Sequence, residues 1–208
     1  MFASREQAAE RIAEQLARYR GQHPLVLAIP RGGVPMGRVV ADALDGELDV
    51  VLVHKLGAPG NPEFAIGSVD ESGKVVLSPA AHALHIDEDY VARESARQLE
   101  RLHERRLRYG RAPVDARARL CIVVDDGVAT GATLIAALRA LRAQGPRRLI
   151  AAIGVAPAET VASLEKEVDE LVCLAAPTVF YAVSQFFAEF AQVSDDEVIA
   201  LLSQGAPG

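Results

Sequence analysis

The segment Cys121 to Thr133, CIVVDDGVATGAT, constrains the fold of this chain more than any other. Its four leading apolar residues show no polar alternation, the pattern of a strand buried on both faces in a parallel sheet covered by helices. Asp125 and Asp126 stop the run, and small residues then lead through Gly131, Ala132 and Thr133 into a helical stretch reaching Ala143. Open α/β sheets place their ligands outside the carboxyl ends of such strands.

The rest of the chain repeats the same order. Leu25 to Ile29 is a compact apolar run stopped by Pro30-Arg31-Gly32-Gly33, followed by a helical stretch from Val34 to Leu44 and a second run from Leu48 to Val53. Beyond the acidic loop come Leu149 to Val155, Glu159 to Val168 and Glu170 to Leu174. Strand and helix alternating in this way predict an open, twisted, mainly parallel sheet flanked by helices. From Ser4 to Tyr19, Ala8, Ile12 and Leu16 recur every four residues behind a Ser4 and Gln7 capping-box pattern, which predicts an amphipathic helix over one sheet face.

Between the two halves, Lys55 to Pro62 carries two glycines and two prolines and is predicted as a long, movable loop beginning where the second strand ends. Ala65 to Val69 and Lys74 to Leu77 flank Asp70-Glu71-Ser72-Gly73 as a hairpin. The helix expected over Asp87 to Tyr109 carries Arg93, Arg97, Arg101, Arg105 and Arg108 among Glu94, Glu100 and Glu104, a spacing that favours a solvated, ion-paired face over a phosphate-binding ridge. In the tail, Phe180, Tyr181, Phe186, Phe187 and Phe190 precede a short helix opened by Ser194. The domain expectation is a single unit over 1–208. Its core covers about 22–176, an inserted region about 56–118, and a small hood 177–208.

A net charge of -6 gives no general attraction to nucleic acid or to an anionic membrane, so an anion site here must be built locally. The start of the sequence lacks the apolar stretch of a signal peptide, and no run approaches the roughly 18 apolar residues of a membrane span, so the expected location is cytoplasmic. Cys121 and Cys173 lie in apolar runs and read as core thiols, with no disulfide framework or metal cluster.

The chemistry follows from the residue types. The loop N–H groups from Gly127, Val128, Ala129 and Thr130 to Gly131, together with the following helix N-terminus, make a phosphate cradle to which Thr130 and Thr133 add hydroxyls. Asp125 and Asp126 would repel a phosphate but accept hydrogen bonds from a vicinal diol. A diol beside a phosphate describes ribose 5-phosphate. Two other phosphate motifs fail: Ala132 stands where a Walker A loop needs its lysine, and G-x-G-x-x-G is absent. A phosphatase using Asp125 as nucleophile would need further acids, but Asp169 and Glu170 fall at the start of the last strand, at its wrong end.

On these residues the sequence resembles the type I phosphoribosyltransferases, whose motif is an apolar strand, two acids and a small-residue loop ending in Thr-Gly-x-Thr. The resemblance implies that Asp125 and Asp126 bind the ribose hydroxyls of 5-phosphoribosyl-1-pyrophosphate (PRPP), and that Ala129 to Thr133 bind its 5-phosphate. Gly127 departs from the apolar residue usual there and is expected to loosen the turn. The family assigns pyrophosphate to Arg31, Gly32 and Gly33, with a non-proline cis peptide expected at Arg31-Gly32, and to a lysine at the base of a mobile loop, here Lys55. His54 is read as structural. Asn61, Glu63 and Phe64 would reach over the site if the loop closed.

By the same resemblance Arg31, Lys55, Asp125 and Asp126 form the catalytic set, and Mg²⁺ is held by PRPP and water with no protein metal ligand. The acceptor is a nitrogenous base, the assembly a homodimer. Ala129 replaces the third acid that faces the purine in the 6-oxopurine branch, which disfavours hypoxanthine and guanine. Phe180 or Tyr181 can stack on an acceptor ring, or the tail aromatics can fill a core or a subunit contact. A PRPP-binding regulator without turnover is the alternative to an enzyme.

Overall fold

The computed structural model describes residues 1–204, the side chain of Glu63 excepted. Its main sheet is parallel and ordered β2-β1-β6-β7-β8, comprising β1 (Leu25–Ala28), β2 (Glu47–Val50), β6 (Leu120–Gly127), β7 (Arg148–Val155) and β8 (Glu170–Ala175). Strand side chains alternate between two apolar layers. Val26, Ala28, Ile122, Val124, Ile150 and Ala152 pack with α1 (Arg5–Gln15) and α2 (Gly33–Leu44). Leu25, Leu27, Cys121, Val123, Leu149, Ala151 and Ile153 pack with α5 (Ala132–Arg142) and α6 (Ala158–Leu164). Both faces are thus buried, as the continuous apolar runs require.

The chain leaves β1 toward β2 on one side and returns through β6 on the other. The carboxyl ends of β1 and β6 therefore flank the switch point of the sheet, where the crevice of an open α/β fold lies. In this region Ile29 donates its N–H to the Val124 carbonyl at 2.9 Å.

The segment expected as a movable loop is instead a hairpin. β3 (Val53–Ala58) and β4 (Asn61–Asp70) pair antiparallel around a turn at Pro59 and Gly60, and β5 (Val75–Leu77) completes a second, three-stranded sheet. The prolines and glycines fit because they sit in the turn and at the register shifts near Gly57 and Ala58. Lys55 accordingly lies inside a strand opposite Ser68 and does not end the second strand. The hairpin across Asp70 to Gly73 forms as expected, with Asp70 accepting from Ser72 and Lys74 N–H groups.

A short helix α3 (Pro79–Ala83) precedes α4 (Glu88–Tyr109), whose arginines 93, 97, 101, 105 and 108 are all exposed. The buried arginine of α4 is Arg106. It donates to Asp49 at 2.8 Å, to Glu71 at 2.6 Å and to the Val50 carbonyl at 2.9 Å, tying α4 to the edge of the main sheet and to the β4–β5 turn. Helix α7 (Asp195–Ser203) closes the described chain behind a Ser194–Glu197 capping box. Among the described residues no helix is long and apolar enough to cross a membrane.

The N-terminal segment meets the tail. Phe2 bridges to Phe187, its N–H donating to Phe186 O at 2.7 Å, and the two rings lie 5.3 Å apart. At the start of α1, Ser4 accepts from Gln7 N–H as the capping pattern predicts, but Gln7 Oε1 accepts from Ala3 N–H and not from Ser4.

Candidate active site

Strand β6 runs on through both acids and Gly127, which pairs with Val155. The acids therefore leave the strand on opposite faces. Asp125 falls on the α5 face, partly exposed, and its carboxylate accepts from Asp126 N–H at 2.9 Å. Burial, reinforced by the neighbouring charge of Asp126, pushes its pKa well above the usual carboxylate range. Asp126 points toward α1, buried. Arg5 Nε donates to its Oδ2 at 2.8 Å, with both side chains about a tenth exposed. Burial also raises Asp126, while the hydrogen bond and charge of Arg5 act in the opposite direction.

Gly127 is expected to loosen the turn. The structure corrects this: the residue is a paired strand position, and a Cβ there would lie 2.7 Å from both Val155 Cγ1 and Val183 Cγ1. A valine of the tail occupies the space. Beyond it Val128 N–H donates to Val155 O, and Thr160 Oγ1 donates to Ala129 O at 2.6 Å, fixing the loop from below. Gly131 adopts φ +75° as the N-cap of α5, a conformation natural to glycine. Among the described residues the N–H groups of Ala129, Thr130 and Gly131 meet no acceptor. With the exposed hydroxyl-bearing residues Thr130 and Thr133, they form an open set of donors at the start of a helix, where the helix dipole favours negative charge.

Facing it across the switch point is the turn Pro30 to Gly33. The cis peptide is at Pro30-Arg31, one bond earlier than expected: Gly32 already has helical φ and ψ of -60° and -32° as the N-cap of α2, so the reversal precedes it. Gly33 N–H is committed to Ile29 O at 3.0 Å, which leaves Arg31 and Gly32 N–H without a described acceptor. Close approach also explains the two glycines. A Cβ on Gly32 would lie 2.1 Å from Asp126 Oδ2, and one on Gly33 would lie 2.6 Å from Val124 O. The turn is thus packed directly on the acid-bearing strand.

A cleft lined by Ile29, Pro30, His54, Lys55, Arg105 and Thr133 brings β3 and α4 beside both motifs. Arg31 lies toward α7: Asp195 is held below the usual carboxylate range by a bond from Arg108, and the charge of Arg31 adds to the effect. The tail aromatics divide. Phe180 stacks on Phe186 at 5.4 Å and packs on the core, Tyr181 is 87% exposed, and neither lines the cleft that holds Lys55. Asn61 and Phe64 are exposed on the hairpin, whereas the side chain of Glu63 falls outside the described residues. Cys121 is buried and Cys173 half-buried, and neither is in a disulfide.

Sequence reasoning missed Arg5. A cation at the first position of a helix opposes the helix dipole, and that misplacement is the signal that it serves something else.

Comparison with known proteins finds relatives along almost the whole chain. The crystal structure of TT1426 from Thermus thermophilus is 44% identical, superposes with a TM-score of 0.90 and matches 99% of both chains. A Mycobacterium tuberculosis H37Rv protein, Rv0571c, whose name assigns it provisionally to the phosphoribosyl transferases, is 41% identical over 208 residues. That match covers 98% of this chain and 47% of the relative, so the chain spans about half the length of this curated protein. A ribose-phosphate pyrophosphokinase of Streptomyces coelicolor is 28% identical over 153 residues, 66% of this chain and 47% of that protein. The family model for the phosphoribosyl transferase domain matches residues 3–190, and the chain belongs to that family.

Proposed function

We propose that the chain binds PRPP with Mg²⁺ and transfers the phosphoribosyl group to a nitrogenous acceptor, with release of pyrophosphate. The observation that carries this reading is the opposition of two unfilled donor sets across the switch point: the Ala129 to Thr133 cradle and the Arg31–Gly32 turn. Strand β6, which carries Asp125 and Asp126, runs into the cradle, and the turn packs on it. Two donor sets with a pair of carboxylates on the strand beside them suit a ligand with an anion at each end and a diol between.

In this reading the cradle holds the 5-phosphate, Asp125 and Asp126 bind the ribose hydroxyls, and Arg31, Gly32 and Lys55 hold the pyrophosphate; Gly33 shapes the turn. The bond from the anomeric carbon to pyrophosphate oxygen breaks as an acceptor nitrogen attacks, and positive charge develops on the ring. The chain supplies position and charge; it forms no covalent intermediate. Among the described residues no cluster of three or more His, Cys, Asp or Glu is arranged to hold a metal. In this reading Mg²⁺ would be held by substrate oxygens and water, and would neutralise the departing pyrophosphate. Ala129 offers no carboxylate to a purine, so acceptors other than hypoxanthine and guanine are favoured.

The test is pyrophosphate release from PRPP and Mg²⁺ with a panel of purines, pyrimidines and small amines. Release with one acceptor class establishes the transferase. Saturable PRPP binding without release under any acceptor would replace it with a regulator.

A further inference from the structure

The contacts of Arg5 extend well beyond α1. Its Nε donates to Asp126 Oδ2 at 2.8 Å, its Nη1 donates to Ala191 O at 2.7 Å, and its guanidinium carbon lies 3.8 Å from the centroid of the Phe190 ring. One side chain therefore joins α1, the acid-bearing strand and the tail. The tail is held independently to the same N-terminal segment: Ala188 N–H donates to Phe2 O and Glu189 N–H to Ala3 O, both at 2.9 Å. Asp126 has little freedom on its other side, because the Gly32 backbone occupies the volume into which its carboxylate would turn.

We infer that Arg5 is a positioning residue for the phosphoribosyl site, which fixes the orientation and negative charge of Asp126 and couples them to the seating of the tail. This rests on the PRPP reading above. The physical need is plain: a carboxylate beside a second carboxylate, buried in an apolar layer, takes up a proton unless a cation is bonded to it. A protonated Asp126 is a weaker acceptor for a sugar hydroxyl. The charged groups acting on Asp126 are Arg5 from α1 and Asp125 on its own strand. Glu6 and Glu197 are lowered chiefly by hydrogen bonds from Ser4 and Ser194, and the charge of Arg5 adds a little to each.

The fork geometry matters as well as the charge. A guanidinium bonds Asp126 and Ala191 together while stacking on Phe190, whereas a lysine ammonium can restore charge but not that planar arrangement. The inference therefore predicts graded behaviour, with Arg5→Met worse than Arg5→Lys and neither equal to the natural residue.

The experiment measures binding of PRPP with Mg²⁺ by calorimetry from pH 5 to 9 for the natural protein, Arg5→Lys, Arg5→Met, Asp126→Asn and the Arg5→Met/Asp126→Asn double variant. In parallel the carboxyl ¹³C signal of Asp126 is titrated without ligand, a readout of the Arg5–Asp126 coupling that needs no binding, and the pH profile of binding shows whether that coupling reaches the ligand. Arg5→Met should weaken binding roughly tenfold at pH 6, the effect of losing one charge-assisted hydrogen bond. Its acid limb and the Asp126 signal should both move to higher pH, with Arg5→Lys in between. In the Asp126→Asn background Arg5→Met should add little further loss. An unmoved Asp126 titration, or losses that simply add in the double variant, would overturn the role of Arg5. Failure of the natural protein to bind PRPP would instead overturn the PRPP reading, and the ligand-free titration would still decide the Arg5–Asp126 coupling.

Discussion

Gly32→Ala isolates the contact between the two halves of the site. At Gly32 the backbone is ordinary right-handed helix, so alanine is compatible with the conformation and would by itself stabilise by about 0.4–1 kcal/mol. The nearest obstacle is Asp126, whose Oδ2 would be 2.1 Å and Cγ 2.8 Å from the new Cβ. Non-bonded carbon and oxygen do not approach within about 3 Å, so the carboxylate must move by roughly an ångström. That shift takes it out of a 2.8 Å bond with Arg5 and leaves two buried charges badly paired. Breaking a buried pair costs about 3–5 kcal/mol; after the backbone gain the expected loss is about 3 kcal/mol, or roughly 6–12 °C in Tm for a chain of this length. Thermal unfolding followed by circular dichroism measures it, and Asp126→Ala supplies the control. With the carboxylate removed, the Cβ fits, and Gly32→Ala should then be neutral or slightly stabilising. A natural Tm for the single variant, or equal losses in both backgrounds, would refute the packing argument.

Asp125 should show the opposite sign. Its raised pKa means that the folded state binds more protons than the unfolded chain above the ordinary carboxylate range, so stability falls as pH rises through that window. Asp125→Asn should raise Tm at pH 8 by a few degrees, about 1 kcal/mol, and flatten the pH dependence; a lower Tm at pH 8 would contradict the assignment. Arg106→Met leaves Asp49, 1% exposed, with Val114 N–H as its remaining partner, and should cost about 3–5 kcal/mol in urea unfolding. A loss under about 1 kcal/mol would show the pair to be dispensable. Burial pushes the Cys121 thiol up to about 11, so it should resist Ellman's reagent at pH 8 until the protein is unfolded, and rapid native-state labelling of Cys121 would show that the strand opens.

The main sheet is legible in the sequence because its strands are buried on both faces and so appear as uninterrupted apolar runs. Leu25 to Ala28, Cys121 to Val124 and Leu149 to Val155 leave no competing periodicity. The error falls at Lys55 to Pro62, where glycine and proline density reads as a loop. Such residues also fit a hairpin turn and a bulged ladder, and the pairing that decides between these comes from Ala65 to Asp70 of β4, outside the segment. Burial of Arg106 is invisible for a similar reason. On α4 it is one arginine in an arginine-rich stripe, and only Asp49 and Glu71, 57 and 35 residues away, distinguish it.

At the site, local sequence carries the groups whose function depends on backbone shape and fails for those that depend on distant partners. The Ala129 to Thr133 cradle is a property of one turn and the helix that follows, so residue types suffice. The acids look equivalent because they are adjacent, yet adjacency in a strand is what separates them, one to each face. Asp125 is on the α5 side of the sheet and Asp126 is bonded to Arg5 of α1, so their environments differ although their sequence contexts do not. The same logic changes the meaning of the glycines. In the sequence Gly32, Gly33 and Gly127 read as donors or loose turns; in the fold each marks a place where β6 is approached too closely for a Cβ, by α2 or by the tail. The site is thus assembled by packing on one strand. Substitutions at Gly32 and Arg5, which share no motif, act on the same carboxylate, that of Asp126.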